Sequence, residues 1–590
     1  MKDSAQSYID LIDAGTVKLK SGKKITHWYL DSKPDWPFNC NETIYICHNA
    51  VAEVSCMLQL GMARPNNLWD TMVQDKKLWL GRVSGFSLLD SCKRYQIPTI
   101  TEAQKEIYRK LIINKYPAYS AREKQKIIEY NITDVEENAK LFMAQCKEFD
   151  FRDKNSEKIL SQAIFHCRSQ GVIAKIERNG IPIDTALVNK FNTYWPMVKD
   201  ELVREVNLEI DVFNEDLTFS HTKFNELIKR NNLGRKWPRM KSGNFTTNKK
   251  IIKQNLDNKE IEKFNEIRTL QNMTKLTAYT PGNDGRTRTS FNMFGTVTGR
   301  TSPSSSKYVF SASKWARNFI KPSLGNYLVY LDYKSQEPAI MGYLSGDQNK
   351  IKAYQSGDIY IHTAKLFDFL PPEVVRDKKN KEREEVRNTF KVIDLANTYG
   401  QGPGAVAESL KCSVSHANFL MNKYTEIFKV YFRWIDGFIE NSLNKTYFST
   451  CYGWQRHIKS LFTTKEGKKK HIHKSLLNWP IQAHGGEILR QALIDLTDEN
   501  FKVVALVHDA VMLEIPIPEF KQRLEEAKQI MVDASIKVVG GPITVDQEII
   551  KSNYEQEFKD QKLFNKIMSH IDRYTRSRLN VPTDRVHRPI

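Results

Sequence analysis

The segment VVALVHDAVMLEIP, residues 503–516, constrains the fold of this chain more than any other. Apolar residues run up to the pair His508-Asp509, and a weakly alternating apolar run follows, which is the pattern of two strands joined by a hairpin. A carboxylate between two buried strands is costly to desolvate unless a partner compensates its charge. A metal ion would do so, and we therefore expect Asp509 to be a metal ligand at a hairpin tip.

A second aspartate, Asp332, lies near the end of the apolar segment NYLVYLDY, which predicts another strand. Two aspartates on neighbouring strands can hold two divalent ions about 3.5–4 Å apart, an arrangement that suits in-line phosphoryl transfer. Magnesium prefers few carboxylates together with water and substrate phosphates, so two aspartates suffice. For either residue alone, an ordinary turn aspartate at the end of a strand is the alternative.

The segment RNTFKVIDLANTYG predicts a helix with one functional face. Four of its residues recur every fourth position and form one slowly drifting stripe: Arg387, Lys391, Leu395 and Tyr399. Such a face fits a nucleoside triphosphate, because the cations can meet the phosphates while the aromatic ring meets the base. An amphipathic helix with a solvated basic edge is the alternative.

The charge of the chain indicates the class of partner. A formal net charge of +20 favours a polyanion, nucleic acid before an anionic membrane, with solubility alone as the alternative. No apolar run approaches the ~18 residues of a membrane span, and the N-terminus lacks the apolar core of a signal peptide. The eight cysteines follow no paired spacing, which favours a reduced cytoplasmic protein over a zinc site.

Taken together, these segments resemble the family A DNA polymerases over about residues 170–557. LDYKSQEPAI resembles the family's motif A, RNTFKVIDLANTYG its motif B and VHDAVMLEIP its motif C. Further matches are AKIERNGIPID, TVTGRTS and NWPIQAHGGEILRQALI. The resemblance implies a multidomain α/β fold, the right-hand polymerase of palm, fingers and thumb. It also implies DNA-templated DNA synthesis with two Mg²⁺ ions, Mn²⁺ as a substitute, primer-template DNA and deoxynucleoside triphosphates.

The resemblance also implies roles for individual residues. The metal ligands are Asp332, Asp509 and the backbone carbonyl of Tyr333, and the catalytic residues are the two aspartates with Lys391. The residues implied to bind the nucleotide are Arg387, Lys391, Tyr399, Glu337, Leu395 and His362, with Glu337 excluding the ribose 2′-OH. The residues implied to bind DNA are Arg300, Gln482, Asn478 and His508.

Several positions depart from the family pattern. Ala510 stands where the family commonly has glutamate, so only two carboxylates are expected to serve the metals. Ala339 replaces a usual arginine, which puts one phosphate or DNA contact in doubt. Tyr360 replaces a family histidine, with His362 as a candidate substitute. Leu395 replaces the usual Phe or Tyr, which predicts altered handling of dideoxynucleotides.

Residues 1–150 resemble, less closely, a DnaQ-like 3′–5′ exonuclease domain of the RNase H-like fold. CHNAVAEVSCML resembles the second motif, LWDTM the segment after it and YNITDVEENAKLF the third motif. The exonuclease-like residues are Asp3, Asn49, Glu53, Tyr130 and Asp134, and the glutamate of the first motif, Asp-x-Glu, is missing. Because two-metal hydrolysis needs about four carboxylates, we expect weak or absent nuclease activity. A purely scaffolding domain is the alternative.

The predicted organisation follows from these motifs. It comprises an exonuclease-like domain at 1–165, thumb and lead-in helices at 166–290, palm at 291–347 and 446–557, fingers at 348–445 and a basic C-terminal extension at 558–590. Basic segments at 235–241, 376–384 and 465–474 are read as a duplex-phosphate contact for the first and solvated loops for the others.

Two rivals remain at this point. A single-subunit RNA polymerase shares the two aspartates, but Glu337 argues against it. A non-catalytic nucleic-acid-binding relative is disfavoured by the two aspartates and Lys391. The absence of a preceding 5′-nuclease domain favours a phage replicative enzyme in the host cytoplasm, with replisome or processivity proteins as further partners and no membrane.

Overall fold

The computed structural model describes the strand backbones within residues 2–29 and the residues 43–116, 118–149, 156–272, 279–304, 308–311, 314–458, 477–554 and 558–579. The chain forms two compact units. The first unit comprises Met1–Asn179, Phe291–Pro303 and Val329–Glu548, and the second comprises Gly180–Ser290, Ser304–Leu328 and Ile549–Ile590. Within the described ranges, no helix is long and apolar enough to cross a membrane. The basic segment 465–474 lies outside those ranges.

The N-terminal part of the first unit combines short strands with helices. Its strands are β1 (Lys2–Gln6), β2 (Ile9–Ile12), β3 (Lys18–Ser21), β4 (Ile25–Tyr29), β5 (Tyr45–Cys47) and β6 (Leu68–Asp70). Its helices are α1 (Ala50–Gln59), α2 (Thr71–Trp79), α3 (Leu88–Arg94), α4 (Glu102–Lys115), α5 (Ala121–Glu148) and α6 (Ser156–Asn179). Strands β5 and β6 pair in parallel, and Trp69 of β6 packs edge-on against Phe142 and Phe149.

Helix α6 runs through the predicted domain boundary at 165/166. It is continuous from Ser156 to Asn179, and its buried residues include Ala163 before that boundary and Ile173 after it. The helix packs against α1 and β6. A change in sequence character near residue 166 therefore marks the middle of a buried helix, because one continuous helix serves both segments.

The second unit is mainly helical. It contains α7 (Thr185–Ile210), α8 (His221–Arg230), α9 (Lys249–Gln254), α10 (Lys259–Asn272), the short pair β7 (Ile181–Pro182) and β8 (Arg286–Thr287), a 3₁₀ turn at Lys314–Phe319 and α20 (Phe558–Leu579). Aromatic residues fill its core, among them Phe213, Phe224, Trp237, Phe245 and Phe264.

Helix α20 forms much of the segment that was predicted to be a basic C-terminal extension, and it is packed against the rest of the second unit. Its buried residues Phe564, Ile567 and Ile571 recur at helical spacing, and the helix packs on α7 and on the 3₁₀ turn. His570 Nδ1 lies 3.1 Å from Glu201 of α7. The net basic composition of the segment concealed this apolar stripe, because a helix needs only one apolar face to dock. Residues 580–590 lie outside the described part.

The rest of the first unit is built on a four-stranded sheet. The strands in this part of the chain are β9 (Phe291–Asn292), β10 (Ser302–Pro303), β11 (Asn326–Tyr333), β12 (Tyr447–Ser449), β13 (Gln455–His457), β14 (Lys502–Val507), β15 (Ala510–Pro516) and β16 (Val545–Ile550). The four-stranded sheet has the order β14-β15-β11-β16, and β9 with β10 and β12 with β13 form two separate pairs. Helices α18 (Trp479–Asp498) and α19 (Phe520–Val539) pack on each other and against this sheet.

A helical subdomain lies in the chain between β11 and β12. Its helices are α11 (Gln336–Ser345), α12 (Gln348–Gln355), α13 (Ile359–Leu366), α14 (Lys381–Thr398), α15 (Pro403–Leu410), α16 (Val414–Ile427) and α17 (Lys429–Lys445). A buried cluster that includes Phe367, Phe390, Leu420 and Phe428 joins several of them. The segment 348–445, which the sequence assigns to the fingers, consists mainly of the helices α12–α17.

Candidate polymerase active site

The two predicted aspartates lie on neighbouring parts of the four-stranded sheet. Strand β14 pairs with β15 in an antiparallel hairpin whose last pair is Val507 with Ala510, so the expected hairpin is confirmed. His508 has a φ of 58° at the exposed tip, and Asp509 follows it half-buried. Asp332 is also half-buried, near the end of the adjacent strand β11.

A third carboxylate, Asp546, lies beside Asp332 and was missed by sequence reasoning. The Lys334 N–H donates to the Thr544 carbonyl at 2.9 Å, just after β11 and just before β16. Since these strands are neighbours in the sheet, β16 must run back along β11, and two residues inward on each strand bring Asp332 opposite Asp546. Its only signal in the sequence was an acidic residue in the short strand pattern TVDQEII.

The electrostatics of this face are those of a cation site. Burial, followed by the charges of Asp509 and Asp546, raises the pKa of Asp332 to about 6. Among the described residues, no lysine or arginine lies within 4 Å of these three carboxylates, although the chain carries a net charge of +20. Oxygen atoms of these three carboxylates do not all lie within 4.8 Å of one another, so the three do not form a closed metal site by themselves. Hard carboxylate oxygens without a protein cation fit Mg²⁺ or Mn²⁺.

Glu337 is the centre of a second cluster on the same unit. It lies in the first turn of α11, shortly after strand β11. Its carboxylate accepts hydrogen bonds from the Tyr399 hydroxyl at 3.2 Å, the Asn478 amide at 3.2 Å and the Gln482 amide at 3.4 Å. Arg300 Nη2 lies 3.4 Å from it. The structure thus brings together five residues that come from four separate motifs of the sequence.

The four residues at every fourth position lie on α14 or at its end, and their surroundings differ. Arg387 donates to Asp358 at 2.7 Å and its guanidinium lies 4.9 Å from the centre of the Tyr360 ring. Lys391 is exposed, as are Leu395 and Tyr399 in part. Tyr399 caps the C-terminal end of the helix.

His362 and Tyr360, the residue at the family histidine position, lie on different sides of α13. His362 lies two residues after Tyr360, which corresponds to about 200° around a helix. Tyr360 packs towards the α13–α14 core and Arg387, whereas His362 is half-buried, and burial and then Lys365 lower the pKa of its imidazole. The role of His362 as a substitute for the family histidine stays a prediction.

The N-terminal region uses one of its aspartates as a structural cap. Asp70 is fully buried at the N-terminus of α2, and it accepts five hydrogen bonds. The donors are the backbone amides of Asn49, Ala50, Met72 and Val73 and the side chain of Gln170, at 2.7–3.3 Å. Asp70 therefore joins the first turns of α1 and α2 and is committed to the fold.

The other exonuclease-like residues are close to this cap but differently engaged. Asn49 is the N-cap of α1, with a φ of 68°. Glu53 is exposed, and desolvation by the neighbouring protein, with a smaller effect of Asp70, raises its pKa above the usual carboxyl value. Asp134 of α5 pairs with Lys105 at 3.3 Å, and Tyr130 stacks on Tyr108. Asp3 lies in β1, and its side chain is outside the described part.

A family model for DNA polymerase family A matches residues 210–555, more than half of the chain. The chain belongs to DNA polymerase family A. The matched range contains the three sheet aspartates and the Glu337 cluster, whereas the exonuclease-like region precedes it.

Curated relatives and a solved structure agree with this assignment. The thermostable DNA polymerase I of Thermus thermophilus is 26% identical over 276 residues, which are 45% of this chain and 31% of that protein. DNA polymerase I of Mycobacterium tuberculosis is 24% identical over 375 residues, 60% of this chain and 40% of that protein. The chain therefore matches less than half the length of these relatives.

The fold also matches a solved polymerase domain. The POL domain of Pol1 from M. smegmatis, in complex with DNA primer-template and dNTP, superposes with a TM-score of 0.65 at 17% identity and covers 86% of this chain and 85% of that one. At this level of identity the similarity establishes the mixed α/β polymerase fold.

Proposed function

We propose that this family A member synthesises DNA on a DNA template by adding deoxynucleotides to a primer 3′-hydroxyl. The observation that carries the proposal is the uncompensated set of Asp332, Asp509 and Asp546 next to the Glu337 cluster, within the residues that match the family. A carboxylate face for cations beside a cluster for sugar and base recognition suits phosphoryl transfer to a nucleic acid end.

Asp332 and Asp509, with the Tyr333 carbonyl, would hold two Mg²⁺ ions, and Asp546 would add negative charge beside them. When bound, such ions activate the attacking hydroxyl and compensate the charge of the leaving pyrophosphate. Lys391 is exposed on α14 and free to approach a triphosphate. Arg387 would have to exchange Asp358 for a phosphate, both of which are anionic partners for its guanidinium.

Glu337 would exclude ribonucleotides by occupying the space beside the sugar. Three hydrogen-bond donors and Arg300 hold its carboxylate, so it cannot swing aside without losing several contacts. Tyr399 would stack near the templating base, and Leu395, one turn earlier, would alter the handling of dideoxynucleotides. The residues proposed to contact DNA are Arg300, Gln482, Asn478 and His508, the first two at minor-groove acceptors that all correct pairs share.

The domain assignment and the biological setting belong to the same proposal. We assign the sheet to the palm, α12–α17 to the fingers, the helices of the second unit to the thumb and its lead-in, and the N-terminal region to an exonuclease-like domain with weak or absent activity. A replicative role in phage-infected host cytoplasm, with replisome or processivity proteins as partners, is part of this proposal.

Primer extension with deoxynucleotides or ribonucleotides tests the proposal against an RNA polymerase and against a non-catalytic binding protein. We expect extension that requires a divalent ion and a strong preference for deoxynucleotides. Glu337→Ala should relax the preference, because it opens the space beside the sugar 2′-carbon. Equal use of both nucleotides by the wild type would favour the RNA polymerase, and binding without extension would favour the binding protein.

A further inference from the structure

Helix α18 carries a buried ion pair for which the proposed chemistry has no use. Glu487 and Arg490 follow Gln482 in the segment HGGEILR, and both side chains are at most 1% exposed. Replacing a buried ion pair by apolar residues is often neutral or stabilising, so the pair by itself is poor evidence for a stabilising role. Its contacts show what it holds.

Glu487 is fully satisfied by residues from three parts of the first unit. Arg490 Nε donates to it at 3.0 Å, the Thr450 hydroxyl donates at 3.0 Å and His166 Nε2 lies 3.0 Å away. Burial would raise the pKa of Glu487, but Arg490 and His166 outweigh burial and hold the pKa well below the usual carboxyl range. Glu487 therefore remains charged and keeps Arg490 in one orientation.

Arg490 in turn fixes the backbone next to Arg300. Its Nη1 donates to the Gly299 carbonyl at 2.6 Å, and its guanidinium lies 4.5 Å from the centre of the Phe294 ring. Gly299 has a φ of 73°, and a Cβ there would lie 2.7 Å from Trp454 Nε1. The peptide that leads into Arg300 is thus held by one charged hydrogen bond and by a conformation that requires glycine.

One helix glycine lies close to the Arg300 side chain. A Cβ on Gly485 would lie 3.3 Å from Arg300 Nη2 and only 2.6 Å from Gln336 Oε1, whereas one on Gly486 would make only ordinary van der Waals contact with Arg300 and Arg490. Glycine inside a helix destabilises it relative to alanine, and at Gly485 the close contact is the packing reason. In this space Arg300 Nε donates to the Gln482 carbonyl at 3.3 Å.

We propose that Glu487 and Arg490 are positioning residues for Arg300, which hold its backbone so that its guanidinium meets the minor-groove edge of the primer terminus. This inference rests on the proposed function and goes beyond it, because it assigns discrimination between paired and mispaired primer ends to a buried pair that never touches DNA. If the pair only stabilised the core, its mutation would have no specific effect on how the protein recognises the minor-groove edge of the primer terminus.

A double-mutant cycle on the full chain tests the coupling. Arg490→Lys keeps the positive charge but removes the guanidinium that donates to both Glu487 and the Gly299 carbonyl. We expect kcat/KM on a matched primer to fall roughly tenfold, within the range for one charged hydrogen bond. In an Arg300→Ala background the same change should cause little further loss, since nothing remains to be positioned. Arg523→Lys on α19, a half-buried, ion-paired arginine of the same unit, is the matched control and should leave kcat/KM unchanged.

A modified primer gives a readout that a stability role would not affect. A primer ending in 3-deazaadenine lacks the minor-groove nitrogen acceptor of adenine. The wild type should extend it roughly tenfold less efficiently than the adenine primer, Arg300→Ala should not distinguish the two, and Arg490→Lys should show a reduced difference.

Multiplicative losses in the double mutant, or full sensitivity of Arg490→Lys to 3-deazaadenine, would overturn the inference. If Arg490→Lys melts at a much lower temperature than the wild type, Thr450→Val provides a milder variant that removes one hydrogen bond from Glu487, with the same pattern expected at smaller size. A wild type that extends no primer would instead overturn the proposed function on which the inference rests.

Discussion

The sheet face and the N-terminal region treat their carboxylates in opposite ways. On the sheet, Asp332, Asp509 and Asp546 have no lysine or arginine partner among the described residues. In the N-terminal region, Asp70 accepts five hydrogen bonds and Asp134 pairs with Lys105. A carboxylate that the fold already satisfies stabilises the fold, whereas one left without a cation is available to an exchangeable ion. Motif resemblance alone does not separate these two situations.

The largest expected effect is the loss of synthesis when a sheet carboxylate is neutralised. Asp509→Asn keeps the size of the side chain but removes the charge that holds a metal, so we expect the single-turnover extension rate to fall by roughly 10³-fold or more. Primer-template affinity, measured by fluorescence anisotropy, should change little. Undiminished synthesis would remove Asp509 from the metal site.

The next effect concerns folding and should leave synthesis intact. Asp70→Asn weakens a buried cap that serves two helices, and we expect the free energy of unfolding to fall by about 2–3 kcal/mol. Urea denaturation measures the change, and primer extension at 25 °C should stay near the wild-type rate. If the variant is as stable as the wild type, the negative charge of Asp70 is not required to satisfy the backbone amides at the starts of α1 and α2.

Asp546 should have an intermediate effect on metal binding. Asp546→Asn should raise the Mn²⁺ dissociation constant of the DNA-free protein about tenfold, as measured by electron paramagnetic resonance, because it removes charge beside Asp332. Glu548→Gln, two residues further along β16, is the matched control and should change the constant less. Equal effects of the two variants would indicate that Asp546 acts only through the overall negative charge of β16 and not as a residue next to the metal.

A smaller effect concerns the pH dependence of stability without metal. The pKa of Asp332 is about 6 in the folded protein, above the usual carboxyl value, so its stabilising contribution is complete below about pH 4 and is lost as the pH rises through 6. In EDTA, Asp332→Asn should therefore melt at a higher temperature than the wild type at pH 8, and the difference should shrink at pH 4. A constant difference would contradict the raised pKa.

The smallest expected effect is on excision of a mismatched primer end. Since Asp134 is paired with Lys105 and the first exonuclease motif lacks its glutamate, we expect little or no excision by the wild type, and Lys105→Met should not create it. Gel analysis of a labelled mismatched primer measures this. Rapid excision that Asp134→Asn abolishes would show that the N-terminal region is an active nuclease.

Local pattern was sufficient for the elements of the polymerase site. The apolar runs around His508-Asp509 predicted the hairpin, and the four-residue spacing from Arg387 predicted one helical face. Both depend on periodicities of two and about four residues, which contacts within one element produce. The same reasoning missed α20, because basic residues outnumber the few apolar ones that dock it.

By itself, the sequence determined the family, the order of the motifs and the two aspartates, since these depend on residue identity and spacing along the chain. Only the tertiary structure decided that Asp546 joins Asp332, that Asp70 caps two helices and that Glu487 and Arg490 hold the peptide before Arg300. The physical reason is that strand neighbours and buried hydrogen-bond partners come from segments far apart in the chain, and no local period records which of them meet.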